Sequence, residues 1–166
     1  MSGSLDRLDS LQLVAFDVDG VFTDGRIYIA DDGSETKAFH TQDGFGVRRL
    51  IDSGVEVAVI SGRTSGAVEK RMAELGVRHV VLGCKDKVAA LDRLAAELDV
   101  RVADCAFVGD DIPDLALLEH VGFSVAVANA VAALHDRCDY VTRKPGGRGA
   151  VREVCDLIVA ARDGRG

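Results

Sequence analysis

Two pairs of carboxylates stand out in this sequence, Asp17 with Asp19 and Asp110 with Asp111. Each pair directly follows a short apolar run that is typical of a buried strand. Because the carboxyl ends of parallel strands meet at one edge of a sheet, where ligands of such folds bind, we expect the four acids to lie close together. Crowded carboxylates repel one another unless a cation lies among them, and a small set of hard oxygen ligands suits Mg²⁺.

Two further predicted strands end beside groups that can bind phosphate. Ser61 follows one of them and offers a hydroxyl, and Lys87 follows another at the start of a helical pattern and offers a point charge. An aspartate can attack phosphorus and form an aspartyl-phosphate when a metal and a lysine offset the charge on the phosphoryl oxygens. These residue types at these positions predict metal-dependent phosphoryl transfer.

Plainer roles remain open for several of these residues. Asp111 and Asp114 precede a helical pattern, and Asp is a common helix cap. Lys85 lies two positions before Lys87 and competes with it for the phosphate. The glycine-rich segment Pro145–Gly149 precedes the last helical pattern, so it either binds an anion at a helix N-terminus or forms a tight turn.

The elements that must position these residues alternate between short apolar runs and helical patterns along a single domain of 166 residues, 1–166. This alternation predicts an α/β fold: a Rossmann-like, doubly wound, mostly parallel sheet with helices on both faces. The predicted strands are Leu11–Phe16, Glu56–Ile60, His79–Leu82, Asp104–Val108 and Gly122–Ala126. The predicted helices are Gly44–Asp52, Ser65–Leu75, Lys87–Leu98, Ile112–Glu119 and a last helix with an apolar stripe of Val151, Val154, Cys155, Ile158 and Val159.

One segment breaks this alternation. Arg26–Ala30 and Thr36–His40 are short extended stretches around the turn sequence Asp31–Gly33, which predicts an inserted β-hairpin. The hairpin carries Ile27, Ile29 and Phe39, and the free edges of a two-stranded hairpin invite pairing with other copies of the chain.

The ordered set Asp17-Val18-Asp19-Gly20, Ser61, Lys87 and Gly109-Asp110-Asp111 resembles the four motifs of the haloacid dehalogenase superfamily of phosphatases. The resemblance implies that Asp17 is the nucleophile and that Asp19 is the general acid and base. It also implies a Mg²⁺ site formed by Asp17, Asp110 and the backbone carbonyl of Asp19, with Asp111 at or beside the metal. Ser61 and Lys87 would hold the phosphoryl oxygens.

The spacing of these motifs leaves no room for a cap domain, as in the capless group of the superfamily. Within that group, Asp17–Gly25, Phe39–Gly46 and Gly146–Glu153 resemble the 3-deoxy-D-manno-octulosonate 8-phosphate (KDO 8-phosphate) phosphatases of lipopolysaccharide biosynthesis. The resemblance implies a sugar-acid phosphate as substrate, and arginine is well shaped to hold its carboxylate. The implied substrate-binding residues are Asp19, His40, Thr41, Gln42, Asp43, Gly44, Arg48, Arg63, Arg71, Lys87 and Asp111.

Two other functions compete with this interpretation. One is a phosphatase for a nine-carbon, sialic-type acid phosphate, and Arg63 favours the eight-carbon acid because some of those relatives carry Glu there. The other is an inactive binding or regulatory module, against which the retained catalytic residues argue.

The amino-acid composition argues against several classes of binding partner. The formal net charge is −7 and Lys and Arg are scattered, which argues against nucleic acid. No apolar run reaches the ~20 residues that span a bilayer, and the polar start Met1–Gln12 does not resemble a signal peptide. Four widely spaced cysteines give no sign of zinc or disulfides. We expect a cytoplasmic protein.

The open site of a capless phosphatase and the hairpin together predict a homotetramer with shared active sites. Phosphoryl transfer gains from the exclusion of bulk water, and symmetric closure of several hairpins would remove their free edges. The resemblance agrees, since capless relatives form tetramers around a barrel of hairpins.

Overall fold

The computed structural model describes residues 7–164, so residues 1–6 of the predicted non-signal segment Met1–Gln12 lie outside it. A six-stranded parallel sheet has the order β5-β4-β1-β6-β7-β8, and β2 and β3 form a separate antiparallel hairpin. The strands are β1 (Leu13–Phe16), β2 (Tyr28–Ile29), β3 (Glu35–Thr36), β4 (Glu56–Ile60), β5 (His79–Val81), β6 (Cys105–Gly109), β7 (Phe123–Ala126) and β8 (Tyr140–Val141).

Six α-helices connect or follow the strands within residues 7–164. They are α1 (Thr41–Asp52), α2 (Gly66–Leu75), α3 (Lys87–Glu97), α4 (Leu115–His120), α5 (Ala132–His135) and α6 (Ala150–Asp163). Short 3₁₀ turns lie at Leu8–Ser10, Val102–Asp104 and Ile112–Asp114. The predicted doubly wound α/β fold is therefore confirmed.

The strand β1 occupies the centre of the sheet. It pairs in parallel with β4 and with β6, so that Leu13 lies opposite Glu56 on one side and Cys105 on the other. All four residues of β1 are buried, because both faces of a parallel sheet are covered. This position delivers Asp17, the next residue, to the middle of the carboxyl edge.

The loop after β1 is anchored in the core. Phe22 is buried and its ring meets that of Phe16 edge to face, with the ring centroids 5.4 Å apart. Val18 and Val21 are also buried. The segment between the two phenylalanines is thereby held against the sheet, and Asp17 and Asp19 lie within it.

Several elements differ from prediction. The helix predicted over Ile112–Glu119 begins with a 3₁₀ turn before α4, and α5 and β8 were not predicted because four and two residues carry no readable periodicity. The hairpin exists, but its paired arms are only two residues each, where longer arms were predicted. Ile27 and Phe39 are half-buried, and Phe39 packs against the core.

Within residues 7–164, the structure contains no helix of the length and apolar character needed to cross a membrane.

Candidate active site

A cavity of about 380 Å³ opens at the carboxyl edge of the sheet, above β1, β4 and β6. Asp17 and Asp19 follow β1, Ser61 follows β4, and Asp110 follows β6, so the predicted convergence of strand ends is observed. The lining residues are Asp17, Asp19, Gly25, Ser61, Gly62, Arg63, Cys84, Lys85, Lys87, Asp110, Asp111, Pro113 and Asp114.

Asp17 lies at the floor of this cavity. Its Oδ1 accepts a hydrogen bond from the backbone N–H of Val18 at 2.7 Å and lies 3.2 Å from Lys87 Nζ. The carboxylate is therefore fixed through one oxygen. A nucleophile held in this way loses little conformational freedom when it attacks.

Three carboxylates form the acidic centre of the site. Asp17, Asp110 and Asp114 each offer one oxygen, and the three oxygens lie within 4.8 Å of one another. Burial raises the pKa of Asp17 to about 7, and repulsion by Asp114 adds to the effect. Burial and the charge of Asp17 likewise raise the pKa of Asp110 to about 8.

This cluster fits a divalent cation. Its three negative charges face the single positive charge of Lys87, and a divalent ion would bring the sum to zero. The donors are all carboxylate oxygens, which Mg²⁺ prefers. The side chain of Asp19 does not belong to this group of three carboxylates. The metal ligand predicted at Asp19 is its backbone carbonyl.

Asp114 is the functional candidate that the sequence analysis left among helix caps. It is 1% exposed, its Oδ1 lies 2.6 Å from Lys87 Nζ, and its Oδ2 accepts a hydrogen bond from the backbone N–H of Asp110 at 3.0 Å. A Cβ on Gly109 would collide with this side chain, which explains the glycine there. The cluster of Asp110, Asp111 and Asp114 just after a buried strand was the available signal.

Lys87 is the lysine that points into the centre of the site. It begins α3, where the Asp86 side chain caps the helix by accepting from Ala89 N–H. Burial lowers the pKa of Lys87, but the charges of Asp17 and Asp114 outweigh it, so the net pKa is raised and the side chain stays charged. The competing Lys85 is exposed and lines the cavity without an ion pair to these carboxylates.

Asp19 turns away from this cluster toward a second group of charges. Its Oδ1 lies 2.6 Å from Nζ of Lys37, and its Oδ2 lies 3.8 Å from Nε of Arg63. Arg63 also pairs with Glu35 at 2.7 Å. Sequence reasoning missed Lys37 and Glu35, because the hairpin that carries them contains no motif.

The remaining predicted cavity residues are also present. Ser61 is buried, and its Oγ accepts a hydrogen bond from the backbone N–H of Arg63 at 3.4 Å. Asp111 lines the cavity, and its Oδ1 accepts a hydrogen bond from the backbone N–H of Ile112 at the start of the 3₁₀ turn.

The other predicted substrate residues lie elsewhere within one chain. None of His40, Thr41, Gln42, Asp43, Gly44, Arg48 and Arg71, all of which the structure describes, lines the cavity around Asp17. His40 caps α1 by accepting from Gln42 N–H, while Arg48 and Arg71 both bond Glu74. A Cβ on Gly44 would overlap the guanidinium of Arg71, so α1 and α2 pack closely there.

Asp43 holds two helices together in this structure. It is 1% exposed, and its Oδ1 accepts a hydrogen bond from the backbone N–H of Arg152 in the first turn of α6 at 3.0 Å. Asp43 does not line the cavity around Asp17 in its own chain, and its assignment as a substrate ligand stays a prediction. Its observed role is to cap α6 from α1.

The glycine-rich segment is a turn rather than an open anion site. The N–H of Gly147 donates to Val21 O, that of Gly146 donates to Asn129 Oδ1, and a Cβ on Gly146 would overlap the backbone oxygen of Gly20. The turn thus braces the loop that carries Asp19. The N-terminus of α6 behind it is already occupied by the carboxylate of Asp43.

The site combines a fixed carboxylate, an acidic centre suited to a cation, a buried lysine, a hydroxyl and a second carboxylate. Such a set can form and hydrolyse an aspartyl-phosphate.

Comparison with known proteins gives consistent matches. A family model for haloacid dehalogenase-like hydrolases matches residues 83–153. The chain is 47% identical over 156 residues to a 3-deoxy-D-manno-octulosonate 8-phosphate phosphatase of Escherichia coli K12, covering 94% of this chain and 83% of the relative.

Solved structures of similar proteins point to the same family. The 3-deoxy-D-manno-octulosonate 8-phosphate phosphatase of Yersinia pestis is 46% identical with a TM-score of 0.94, covering 96% of this chain and 86% of the other. The corresponding enzyme of Moraxella catarrhalis, in complex with a magnesium ion, a phosphate ion and a KDO molecule, is 42% identical with a TM-score of 0.95, covering 98% and 94%.

Proposed function

Since the chain belongs to the 3-deoxy-D-manno-octulosonate 8-phosphate phosphatases, within the haloacid dehalogenase-like hydrolases, we propose that it hydrolyses KDO 8-phosphate to KDO and phosphate. It is a Mg²⁺-dependent phosphomonoesterase. The observation that carries the proposal is the convergence of Asp17, Asp19, Ser61, Lys87 and Asp110 on one cavity, in a chain that is similar to these enzymes over nearly its whole length.

The first step transfers the phosphoryl group to the protein. An oxygen of Asp17 attacks phosphorus, the bond from phosphorus to the sugar oxygen breaks, and Asp19 gives its proton to that oxygen. Ser61 and Lys87 hold the phosphoryl oxygens, and Lys87 already lies 3.2 Å from Asp17 Oδ1. Mg²⁺, held by Asp17, Asp110, Asp114 and the backbone carbonyl of Asp19, would supply positive charge that offsets the phosphoryl oxygens.

The second step regenerates the protein. Asp19, now a carboxylate, takes a proton from water as the water oxygen bonds to phosphorus. The bond between phosphorus and Asp17 breaks, and inorganic phosphate leaves. Each residue thus returns to its starting state.

The test is phosphate release from a panel of KDO 8-phosphate, a nine-carbon sialic-type acid 9-phosphate and 4-nitrophenyl phosphate. We expect the eight-carbon acid to be the best substrate, EDTA to abolish release, and folded Asp17→Asn to be inactive. Near wild-type turnover by folded Asp17→Asn would refute the covalent mechanism.

Arg63 provides the test of the substrate class. Its guanidinium lines the cavity and is half exposed, so it can meet a substrate carboxylate. Arg63→Ala should cost about 1.5–3 kcal/mol in kcat/KM on KDO 8-phosphate, the value of a charge-assisted hydrogen bond, and little on 4-nitrophenyl phosphate. Equal losses on both substrates would contradict the assignment.

We also propose a cytoplasmic homotetramer with shared active sites. The hairpin presents Tyr28 at 53% and Ile29 at 70% exposure, an apolar edge suited to other copies. His40, Arg48 and Arg71 lie outside the cavity of their own chain, and a shared site would give them access to the substrate of a neighbour. The four cysteines are free thiols, in keeping with a reducing compartment.

A further inference from the structure

Four charged side chains form a closed ring between the hairpin and the cavity. Lys37 Nζ lies 2.6 Å from Asp19 Oδ1 and 3.3 Å from Glu35 Oε1. Arg63 Nη2 lies 2.7 Å from Glu35 Oε2, and Arg63 Nε lies 3.8 Å from Asp19 Oδ2. Each of the two carboxyl groups, of Asp19 and of Glu35, therefore faces both cations.

Lys37 is the buried member of this ring. Its side chain is 0% exposed, whereas that of Arg63 is 51% exposed. A buried ammonium ion is tolerated only when it is paired, so Lys37 is held between the carboxylates of Asp19 and Glu35. Glu35 and Lys37 are two positions apart on an extended arm, which puts both side chains on the same side of it.

The hairpin is otherwise lightly attached. Its paired arms, β2 and β3, are two residues each, and much of its surface is exposed. A two-stranded hairpin of this length is marginal on its own in water. The ion pairs of Glu35 and Lys37 therefore fix the hairpin arm against the loop after β1 and the loop after β4.

We propose that Lys37 is a positioning residue that orients the Asp19 carboxyl group for proton transfer. The inference rests on the proposed function, in which Asp19 gives a proton to the leaving oxygen. A general acid must lie within hydrogen-bond reach of that oxygen, and an unrestrained aspartate samples several rotamers. Lys37, which is itself paired with Glu35, holds the Asp19 side chain in a single rotamer.

The first experiment compares two esters that differ in the leaving group alone, phenyl phosphate and 4-nitrophenyl phosphate. Neither carries a carboxylate, so recognition of a sugar acid plays no part. The poorer leaving group, phenolate, depends more on a proton from Asp19. Lys37→Met should lower kcat/KM by about 30–100-fold on phenyl phosphate and by less than about 10-fold on 4-nitrophenyl phosphate. The larger loss is a part of the roughly 10²–10⁴-fold rate increase that a general acid contributes.

The matched control is Lys70→Met, because Lys70 is an exposed lysine of α2 outside the ring. Its kcat/KM on each ester should stay within about twofold of wild type, as for a typical surface substitution. Equal losses on the two esters in Lys37→Met would overturn the proposal, because a general weakening of the fold does not distinguish leaving groups.

A double-mutant cycle with Asp19→Asn gives the second readout. If Lys37 acts through Asp19, Lys37→Met should change kcat/KM on phenyl phosphate by less than about threefold in the Asp19→Asn background, because coupled residues are not additive. A full additional loss in the double variant would overturn the proposal.

Circular dichroism and thermal melting check that each variant is folded. If Lys37→Met does not fold, the same comparison is made with Lys37→Gln, which keeps a hydrogen-bond donor. Loss of the fold in both variants would assign Lys37 to stability and overturn the positioning role. If the wild type is active and a folded Lys37→Met is equally active, this inference alone is overturned. If the wild type is inactive, the proposed function is overturned as well.

Discussion

At the scale of single residues, the acidic centre links proton binding to stability. The pKa of Asp17 is raised by burial from 3.8 to about 7, and that of Asp110 from 3.8 to about 8. Between the unfolded and folded pKa values, the folded protein holds protons that the unfolded chain has released. Stability from these two groups is therefore present at low pH and is lost as the pH rises toward 8.

We accordingly expect metal-free protein to lose Tm between about pH 5.5 and about pH 8.5, and Asp110→Asn to reduce this loss. Mg²⁺ should raise Tm more at the higher pH, because a carboxylate must be deprotonated before it binds a metal. The measurement is thermal unfolding with EDTA or Mg²⁺ across this range. A Tm gain from Mg²⁺ that is the same at both ends of the range would contradict the account.

The sequence predicted the residues that directly follow strands, since a strand end determines where the next side chain lies. It indicated Asp17 and Ser61 in this way, whereas Lys87 was favoured over Lys85 only by the resemblance to the family motif. It did not distinguish Asp114 from a helix cap, because the decisive partner, Lys87, is distant in sequence. Lys37 and Glu35 gain their meaning only when the hairpin folds against Asp19, a juxtaposition that no local pattern encodes.

At the scale of elements, the junction of α1 and α6 depends on one buried side chain. Asp43 accepts from Arg152 N–H, and its Oδ2 is buried without a hydrogen bond. Asp43→Ala should lower the free energy of unfolding by about 1–2 kcal/mol, the usual cost of a lost helix cap. Denaturant unfolding measures it, with Asp52→Ala, an exposed acid of the same helix, as the control. Activity on 4-nitrophenyl phosphate should persist at a temperature where the variant is folded.

If Asp43→Ala leaves the stability unchanged but selectively lowers sugar-acid turnover, the result would contradict the structural role and support Asp43 as a substrate ligand.

The predictability of the elements follows their length. β4, with five residues and clear apolar character, has the predicted bounds, and the long amphipathic helices are close to them. β8 and α5 are too short for a period to be counted and are stabilised by tertiary contacts, such as the pairing of Val125 with Tyr140. The hairpin was predicted from its turn, but the length of its arms is set by packing, which its sequence does not encode.

At the scale of the whole molecule, the proposed tetramer is open to direct measurement. The double variant Tyr28→Lys/Ile29→Lys places charge on the exposed hairpin edge, and light scattering should report smaller species than the wild-type tetramer. Ala160→Lys, an exposed position on α6, is the control and should remain tetrameric. The smaller species should lose KDO 8-phosphate turnover while keeping activity on 4-nitrophenyl phosphate. A wild-type monomer with full sugar-acid activity would exclude the shared site.

The central position of β1 has a consequence for synthesis on the ribosome. β1, β4 and β5 leave the exit tunnel well before β6, yet β1 must pair with β6 on its second edge. Until Cys105–Gly109 emerges, the nascent chain carries an apolar strand with an open edge, the kind of surface that associates with other chains. The same emergence brings Asp110 beside Asp17. Pairing of β6 with β1 therefore both closes that edge and brings together two carboxylates of the acidic centre.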